Sequence, residues 1–330
     1  MANDKFNWKD KEVLISGGTG SLGRALTKIL LECFHPKGIR IFSRDEFKQW
    51  EIKNELSKTF PRAPVAFLIG DIRDRKRLEL ATKRVDIFIH ASALKQVPSC
   101  EDNPLETIQT NIIGAQNVIY ASLENNIKKV IGISSDKAVS PINLYGATKM
   151  CAEKLFIGSH VYGGDKGPKF SIVRYGNVIG SRGSIVPLFK KQHAETGKIT
   201  ITDKRMTRFW ITLEEVSRFI LQAIEDMEGS EIFIPRMPSA TVLTMARAIC
   251  PDSKIEFIGS RPGEKLHERL IAKEESIRTT SNMGKNRFEI RTNVNLPSDE
   301  FEYTSINNTQ WLTVEQIRKM IGDKYDNKTL

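Results

Sequence analysis

The stretch SGGTGSLGRAL (16–26) decides the fold. It follows a short apolar run, EVLISG (12–17), and opens a segment from Leu22 to Phe34. In that segment Leu22, Leu26, Ile29, Leu30 and Cys33 recur at helical spacing. Gly17, Gly20 and Gly23 have the spacing G-x-x-G-x-x-G, with Thr19, Ser21 and Leu22 between them. Strand, glycine turn and helix in that order suit a dinucleotide. The glycines allow a tight turn and a close approach of backbone to a pyrophosphate, and the helix N-terminus offers free N–H groups and a partial positive charge.

Outward from this unit the pattern repeats. GIRIFS (38–43), VAFLIGD (65–71) and VDIFIHA (85–91) read as strands. NIIGAQNVIYASLENN (111–126) reads as a helix and KKVIGISS (128–135) as a further strand. Strands alternating with helices predict an α/β fold, a Rossmann-type doubly wound parallel sheet covered on both faces. After KFSIVRYGNVIG (169–180) the pattern changes. Thr212-Leu-Glu-Glu215 is a capping-box signature that opens a helix to about Glu225. EIFIP (231–235), a helix near 241–250 and KIEFIG (254–259) follow. The expected organisation is an NADP-binding unit over 1–180 with a return segment near 210–236, then a smaller, partly interleaved α/β substrate unit over 181–290. A C-terminal extension, 291–330, carries a short helical piece near 313–321.

The composition of the 330 residues, 40% hydrophobic and 27% charged, is that of a globular chain. The net charge of +10 suits either solubility or a polyanionic ligand such as a dinucleotide or nucleotide sugar. Lysines and arginines form no dense tract, which argues against nucleic acid. No apolar run reaches the ~20 residues that cross a bilayer. MANDKFNWKDKEV, the first thirteen residues, lacks an apolar leader core, so a cytoplasmic location is expected, with no membrane partner. Four scattered cysteines, Cys33, Cys100, Cys151 and Cys250, predict neither disulfides nor a metal site.

The end of the second strand bears on the cofactor. An NAD site usually places an acid there for the ribose diol. Here the chain reads Phe42-Ser43-Arg44-Asp45. Ser43 can hydrogen-bond a 2′-phosphate and Arg44 can face it with a planar fork, which favours NADP. Asp45 could take the acid's role if the strand ends later. Asp71, followed by Ile72, stands where a carboxylate can accept from an adenine amino group. In His90-Ala91-Ser92-Ala93 the small residues let a cofactor backbone lie close, and His90 reads as a core histidine.

SSDKAVSPINLYGATK (134–149) carries the chemistry. Tyr145 and Lys149, at i and i+4, share a helix face. A free phenol is only about 0.1% ionised at pH 7, and a nearby ammonium and the positive nicotinamide ring are expected to lower its pKa. Tyr145 can then take an alcohol proton while hydride leaves, with Ser135 holding the same hydroxyl. With the glycine loop upstream, this pair resembles a short-chain dehydrogenase/reductase.

ISGGTGSLG, SRDE, GDIRD, HASALKQVP, SSDKAVSPINLYGATK, RYGNVIGSRGS, TRFWIT and RPGEK occur in order over roughly residues 12–290. They resemble the extended short-chain family, and within it the soluble inverting UDP-N-acetylglucosamine 4,6-dehydratases that open pseudaminic acid synthesis. The resemblance implies an NADP enzyme acting on UDP-GlcNAc, a homo-oligomer (dimer or larger), and a 4-keto-6-deoxy product inverted at carbon 5. It implies that Asp136, if protonated, helps the 6-hydroxyl leave, and that Lys137, if uncharged, removes the carbon 5 proton. Lys95 joins the site; Asn177 and Val186 line the sugar or diphosphate; Arg208 and Arg261 clamp the diphosphate; Glu264 holds a ribose hydroxyl. Ser135 stands where the family more often has Thr, and Ser92 where Ala is common. The rivals are a nucleotide-sugar 4-epimerase or a retaining dehydratase and, further off, an NADP-sensing regulator. A 4-epimerase needs no acid/base pair for water loss, and a sensor keeps no catalytic Tyr and Lys.

Overall fold

The apolar runs of the first half form six parallel strands. They are β1 (Glu12–Ser16), β2 (Gly38–Ser43), β3 (Val65–Ile69), β4 (Ile87–His90), β5 (Lys129–Ser135) and β6 (Lys169–Tyr175). The computed structural model describes residues 6–164, 166–291 and 300–322. The strands lie in the order β3-β2-β1-β4-β5-β6. The order reverses between β1 and β4, and a crevice opens there at the carboxyl ends of the strands. β4 at the centre is buried throughout, whereas edge strand β3 leaves Ile69 about half exposed.

The second half supplies β7 (Asn177–Ile179), β8 (Lys198–Ile201), β9 (Thr207–Thr212), β10 (Glu231–Pro235), β11 (Ser239–Thr241) and β12 (Lys254–Phe257). It continues with β13 (Arg269–Ile271), β14 (Thr279–Asn282), β15 (Arg287–Arg291) and β16 (Tyr303–Thr304). β10 pairs parallel with β6, and β15 and β14 then add antiparallel, completing nine strands. The sequence places 279–290 in the substrate unit, but β14 and β15 extend the main sheet. Their pattern is obscured by buried charge: Arg287 is paired with Asp226 and Glu289, while Phe288 and Ile290 enter the core.

The remaining strands make small sheets, β11-β9-β7, β12-β8 and β13-β16. Around them pack the helices Ile185–Thr196, Val242–Ile249 and Val314–Ile321. Ile179, Val186, Trp210, Met245 and Ile317 form the core of this layer. The described C-terminal residues are therefore built into it: Ile317 is fully buried and Leu312 N–H donates to the Ser239 carbonyl.

The capping box at Thr212 forms as the sequence predicts, with Thr212 Oγ1 accepting from Glu215 N–H and Glu215 Oε2 accepting from Thr212 N–H. A helix at Glu46–Thr59 escapes the sequence reading, because of its residues only Gln49 and Ile52 are buried and the apolar stripe is nearly absent. Among the described residues, no helix is long and apolar enough to cross a membrane. No group of three or more His, Cys, Asp or Glu among them is placed to hold a metal ion.

Candidate active site

A cleft of about 840 Å³ follows the carboxyl edge of the sheet, toward the upper end of the ~300–1,000 Å³ usual for small-molecule sites. One wall is the glycine turn: Gly17, Thr19, Gly20, Ser21, Leu22 and Gly23 all line it. Gly17 has φ +69°, and a Cβ there would sit 2.9 Å from the Ala91 carbonyl oxygen, so only glycine suits the turn. Helix Ser21–Ile29 starts at Gly20 with no side-chain cap, which leaves its first N–H groups for an anion. This cradle fits a dinucleotide pyrophosphate.

Ser43, Arg44, Asp45, Asp71, Ile72, Ala91, Ala93 and Lys95 also line the cleft, as does Ser92. Ser43 Oγ accepts from Gln49 Nε2 at 3.0 Å. Asp45 is the N-cap of helix Glu46–Thr59, accepting from Lys48 N–H at 2.9 Å and from Lys48 Nζ. These bonds commit its carboxylate to the helix. Arg44 is more than half exposed, with Asp71 at 3.6 Å. Asp71 also accepts from Arg73 Nε, and despite partial burial it titrates below the usual carboxylate range. Lys95 Nζ donates to the Arg182 carbonyl at 3.3 Å; burial and the nearby Lys137 charge lower its pKa. His90 is a core residue. Its Nδ1 shares a hydrogen bond of 2.9 Å with Ser16 Oγ, its ring stacks on Phe156, and burial pushes its pKa down to about 3.

The chemical corner lies where β5 ends. Ser135, Lys137, Tyr145 and Lys149 line the cleft, and fully buried Asp136 stands behind them. Ser135 Oγ donates to Asp136 Oδ1 at 2.9 Å and Lys137 Nζ reaches the same oxygen at 3.0 Å. Helix Leu144–Gly158 carries Tyr145 and Lys149. Asn143 caps it by accepting from Gly146 N–H at 2.7 Å, and donates through Nδ2 to the Gly263 carbonyl at 2.8 Å, tying this helix to the RPGEK loop. A side chain at Gly146 would collide with the Lys137 carbonyl, so this glycine lets the helix press against the Asp136–Lys137 turn. Deeper in, Arg174 of β6 pairs with Glu153 at 2.6 Å and Glu275 at 2.8 Å, all largely buried, and this locks the helix to the second layer.

Two protonation states differ from those expected. Burial pushes the Tyr145 phenol up to about 12, opposed by the Lys137 charge and the Ser135 hydroxyl; the protein alone does not make it acidic. Lys149 supplies the mobile charge instead, since burial pushes it down to about 8. Lys137, expected as an uncharged base, is held as an ammonium. Burial favours its neutral form, but Asp136 and Glu268, the latter at 3.4 Å, more than offset this and raise its pKa. Burial raises the Asp136 pKa, opposed by the Lys137 charge.

The opposite wall comes from separate segments. Asn177, Arg208, Arg261 and Glu264 line it, and Asn177 Oδ1 and Glu264 Oε2 are buried without a hydrogen-bond partner. Arg208 is tied down, donating to the Thr207 and Leu266 carbonyls and lying 3.7 Å from Glu268. Arg261 is exposed. Val186 does not line the cleft. It is fully buried in the second layer's core, and its helix turns Ile185 and Leu188 toward the cleft. The sequence reading missed Glu268 and Asn111. Asn111 holds the 91–96 loop by accepting from Leu94 N–H at 2.8 Å and donating to Leu94 O at 2.9 Å. The helical run begins at Pro104, ahead of the expected 111, so Asn111 lies inside it, in the π-helical turn Gln109–Ile113.

Residues 13–289 match the family described as polysaccharide biosynthesis protein. An inverting UDP-N-acetylglucosamine 4,6-dehydratase of Campylobacter jejuni (subsp. jejuni serotype O:23/36, strain 81-176) is 46% identical over 94% of this chain and 97% of its own. A UDP-glucose 4-epimerase of Rickettsia canadensis is 38% identical over 94% of this chain and 95% of its own. The X-ray structure of Pen from Bacillus thuringiensis superposes with a TM-score of 0.89 at 37% identity, covering 96% of this chain and 98% of that one. With a single match from β1 to β15 and near full-length relatives, the chain belongs to the polysaccharide biosynthesis protein family.

Proposed function

We propose that the chain is an NADP-dependent UDP-N-acetylglucosamine 4,6-dehydratase that inverts carbon 5. The substrate and the stereochemistry follow the Campylobacter relative. The observation that carries the reading is the Asp136–Lys137 pair, set behind Ser135 and beside Tyr145 in one cleft. Water loss needs a proton donor for the 6-hydroxyl, and buried Asp136, with its pKa raised and Oδ2 unpartnered, can be one. A nicotinamide held along the Gly17–Gly23 turn and the strand ends would supply the hydride acceptor for carbon 4 and the hydride donor for carbon 6. Tyr145 accepts the 4-hydroxyl proton, helped by the Lys137 and Lys149 charges, while Ser135 orients that hydroxyl. Protonation of carbon 5 from the opposite face, by Tyr145, gives inversion. Arg261, Asn177 and Glu264 hold the nucleotide diphosphate, ribose and sugar. NADP is supported by Ser43 and exposed Arg44, and by Asp45 being spent on a helix cap. Such a product suits the opening step of pseudaminic acid synthesis.

The 4-epimerase reading also has support, since a relative of that name is 38% identical. Incubation with UDP-GlcNAc in heavy water and NMR of the product separates the two. A 4-keto-6-deoxy sugar with deuterium at an inverted carbon 5 is expected. A C4 epimer that keeps hydrogen at carbon 5 refutes the proposal.

A further inference from the structure

The segment between β7 and helix Ile185–Thr196 crosses the cleft. Both of its ends are fixed in the second layer, where Ile179 and Val186 are core residues. Between them Ser181–Ser184 forms a tight turn, closed by Ser184 N–H donating to the Ser181 carbonyl at 3.1 Å. Gly183, third in this turn, has φ +69°, a place that favours glycine. Gly180, at φ +78°, precedes the turn, so a glycine stands on either side of Arg182 and can take up a change of backbone angle. Arg182 reaches the dinucleotide wall at two points. Its N–H donates to Ser21 Oγ at 3.1 Å, and its carbonyl accepts from Lys95 Nζ at 3.3 Å. Ser21 belongs to the glycine turn and Lys95 to the loop after β4. A Cβ on Gly183 would lie 2.6 Å from Gln96 Nε2 on that same loop. Arg182 and Gly183 line the cleft yet are exposed, so the turn lies on its solvent side, against the pyrophosphate cradle.

We propose that Gly180–Ser184 is a strap that keeps the dinucleotide in the cleft through a full turnover, with Arg182 the positioning residue that pins it to the glycine turn and to the Lys95 loop. The proposal rests on the nicotinamide reading of the cleft. Hydride taken from the sugar has to be returned to the same sugar, so the dinucleotide has to stay in place between the two transfers. Ser21 Oγ accepts from Arg182 N–H and keeps its own proton for a phosphate oxygen. A bound pyrophosphate and a closed strap therefore hold the same hydroxyl and support one another. Release of the dinucleotide needs the strap lifted, which breaks the bonds to Ser21 and Lys95 together.

The test is the rate at which NADPH leaves the protein, followed by its fluorescence during a chase with excess NADP. In Gly183→Val a β-branched side chain meets a positive φ and the Gln96 amide, which lifts the turn. Release is expected to quicken about tenfold, the weight of one net hydrogen bond, with thermal unfolding little changed. Ser21→Ala removes the acceptor for Arg182 N–H, but it also removes a hydroxyl that faces the phosphates. The double variant Gly183→Val/Ser21→Ala separates these roles. If Ser21 acts through the strap, the double variant releases NADPH more slowly than the product of the two single effects. Full multiplication of the two effects overturns the proposal. Unchanged release in Gly183→Val, with or without a loss of thermal stability, also overturns it and leaves the turn a structural connection. A C4 epimer made by the wild-type protein leaves the strap standing, since hydride is returned to the sugar in that reaction as well. If the wild-type protein binds neither NADP nor NAD, the nicotinamide reading fails and the strap goes with it.

Discussion

The two walls of the cleft are built differently. The dinucleotide wall comes from consecutive strand ends, β1 to β5, each handing its loop to the same edge. The opposite wall is gathered from residues near 177, 208 and 261–268, brought together only by the fold. On the first wall local sequence sets each group's job. The exception is Lys137, just past β5 on the first wall, whose charge depends on Glu268 from the second.

The sharpest test of this contrast is Tyr145→Phe, which leaves the shape of the first wall unchanged. Loss of the proton-transfer group is expected to lower kcat about 10²–10⁴-fold with cofactor affinity unchanged. Fluorescence titration of the cofactor beside steady-state kinetics checks it; a matching loss of affinity would show that chemistry and cofactor binding are not separable. Next comes the bolt between the walls. Arg174→Ala leaves buried Glu153 without its ion partner, a change expected to cost about 3–5 kcal/mol in urea unfolding. A cost below 1 kcal/mol, roughly that of an exposed pair, would mean that this buried ion cluster is not what joins the two layers.

These residues also show what could be read beforehand. The glycine loop, the strand ends and the Tyr145–Lys149 pair were legible because their partners lie within a turn or a strand. Arg174 offered a signal that went unused: a mid-strand arginine in SIVRY has to find a buried counter-charge. Val186 was misplaced because the motif before it, RYGNVIGSRGS, does not set the phase of the helix that follows; Ile185 lines the cleft while Val186 enters the core. The sequence reading makes Tyr145 acidic and Lys137 uncharged; burial opposes the first, while Asp136 and Glu268 hold the proton on the second. Neither burial nor a through-space carboxylate can be seen in a local window.

Lys149 turns the same burial into a pH dependence. The folded chain holds its proton less tightly than the unfolded chain, with a pKa of about 8 against 10.5. Below about pH 8 the lysine is charged in both states and the folded state carries the whole cost. Between about pH 8 and 10.5 unfolding takes up a proton, so this contribution to stability rises with pH. Lys149→Met is therefore expected to be more stable than wild type at pH 7, by up to about 3 kcal/mol, and nearly inactive. The advantage should shrink at pH 9.5. Urea unfolding at the two pH values measures it, and an advantage that grows with pH contradicts the assignment.

The smallest expected effect separates two neighbours on the dinucleotide wall. Arg44 is exposed, in an ion pair of 3.6 Å with Asp71 that a 2′-phosphate can compete with, whereas Asp45 is held by Lys48 as a helix cap. Arg44→Ala is expected to weaken NADP binding by about tenfold, the loss of one charge-assisted contact of ~1.5 kcal/mol, and to leave NAD binding unchanged. Asp45→Asn keeps an N-cap acceptor, so stability should move by no more than a few tenths of a kcal/mol. Neither cofactor's affinity should change. If Asp45→Asn instead weakens NAD binding specifically, the carboxylate reaches the ribose diol in solution, and the cap is not its main work. Isothermal titration of both cofactors against both variants decides between a wall that reads a phosphate and one that reads a diol.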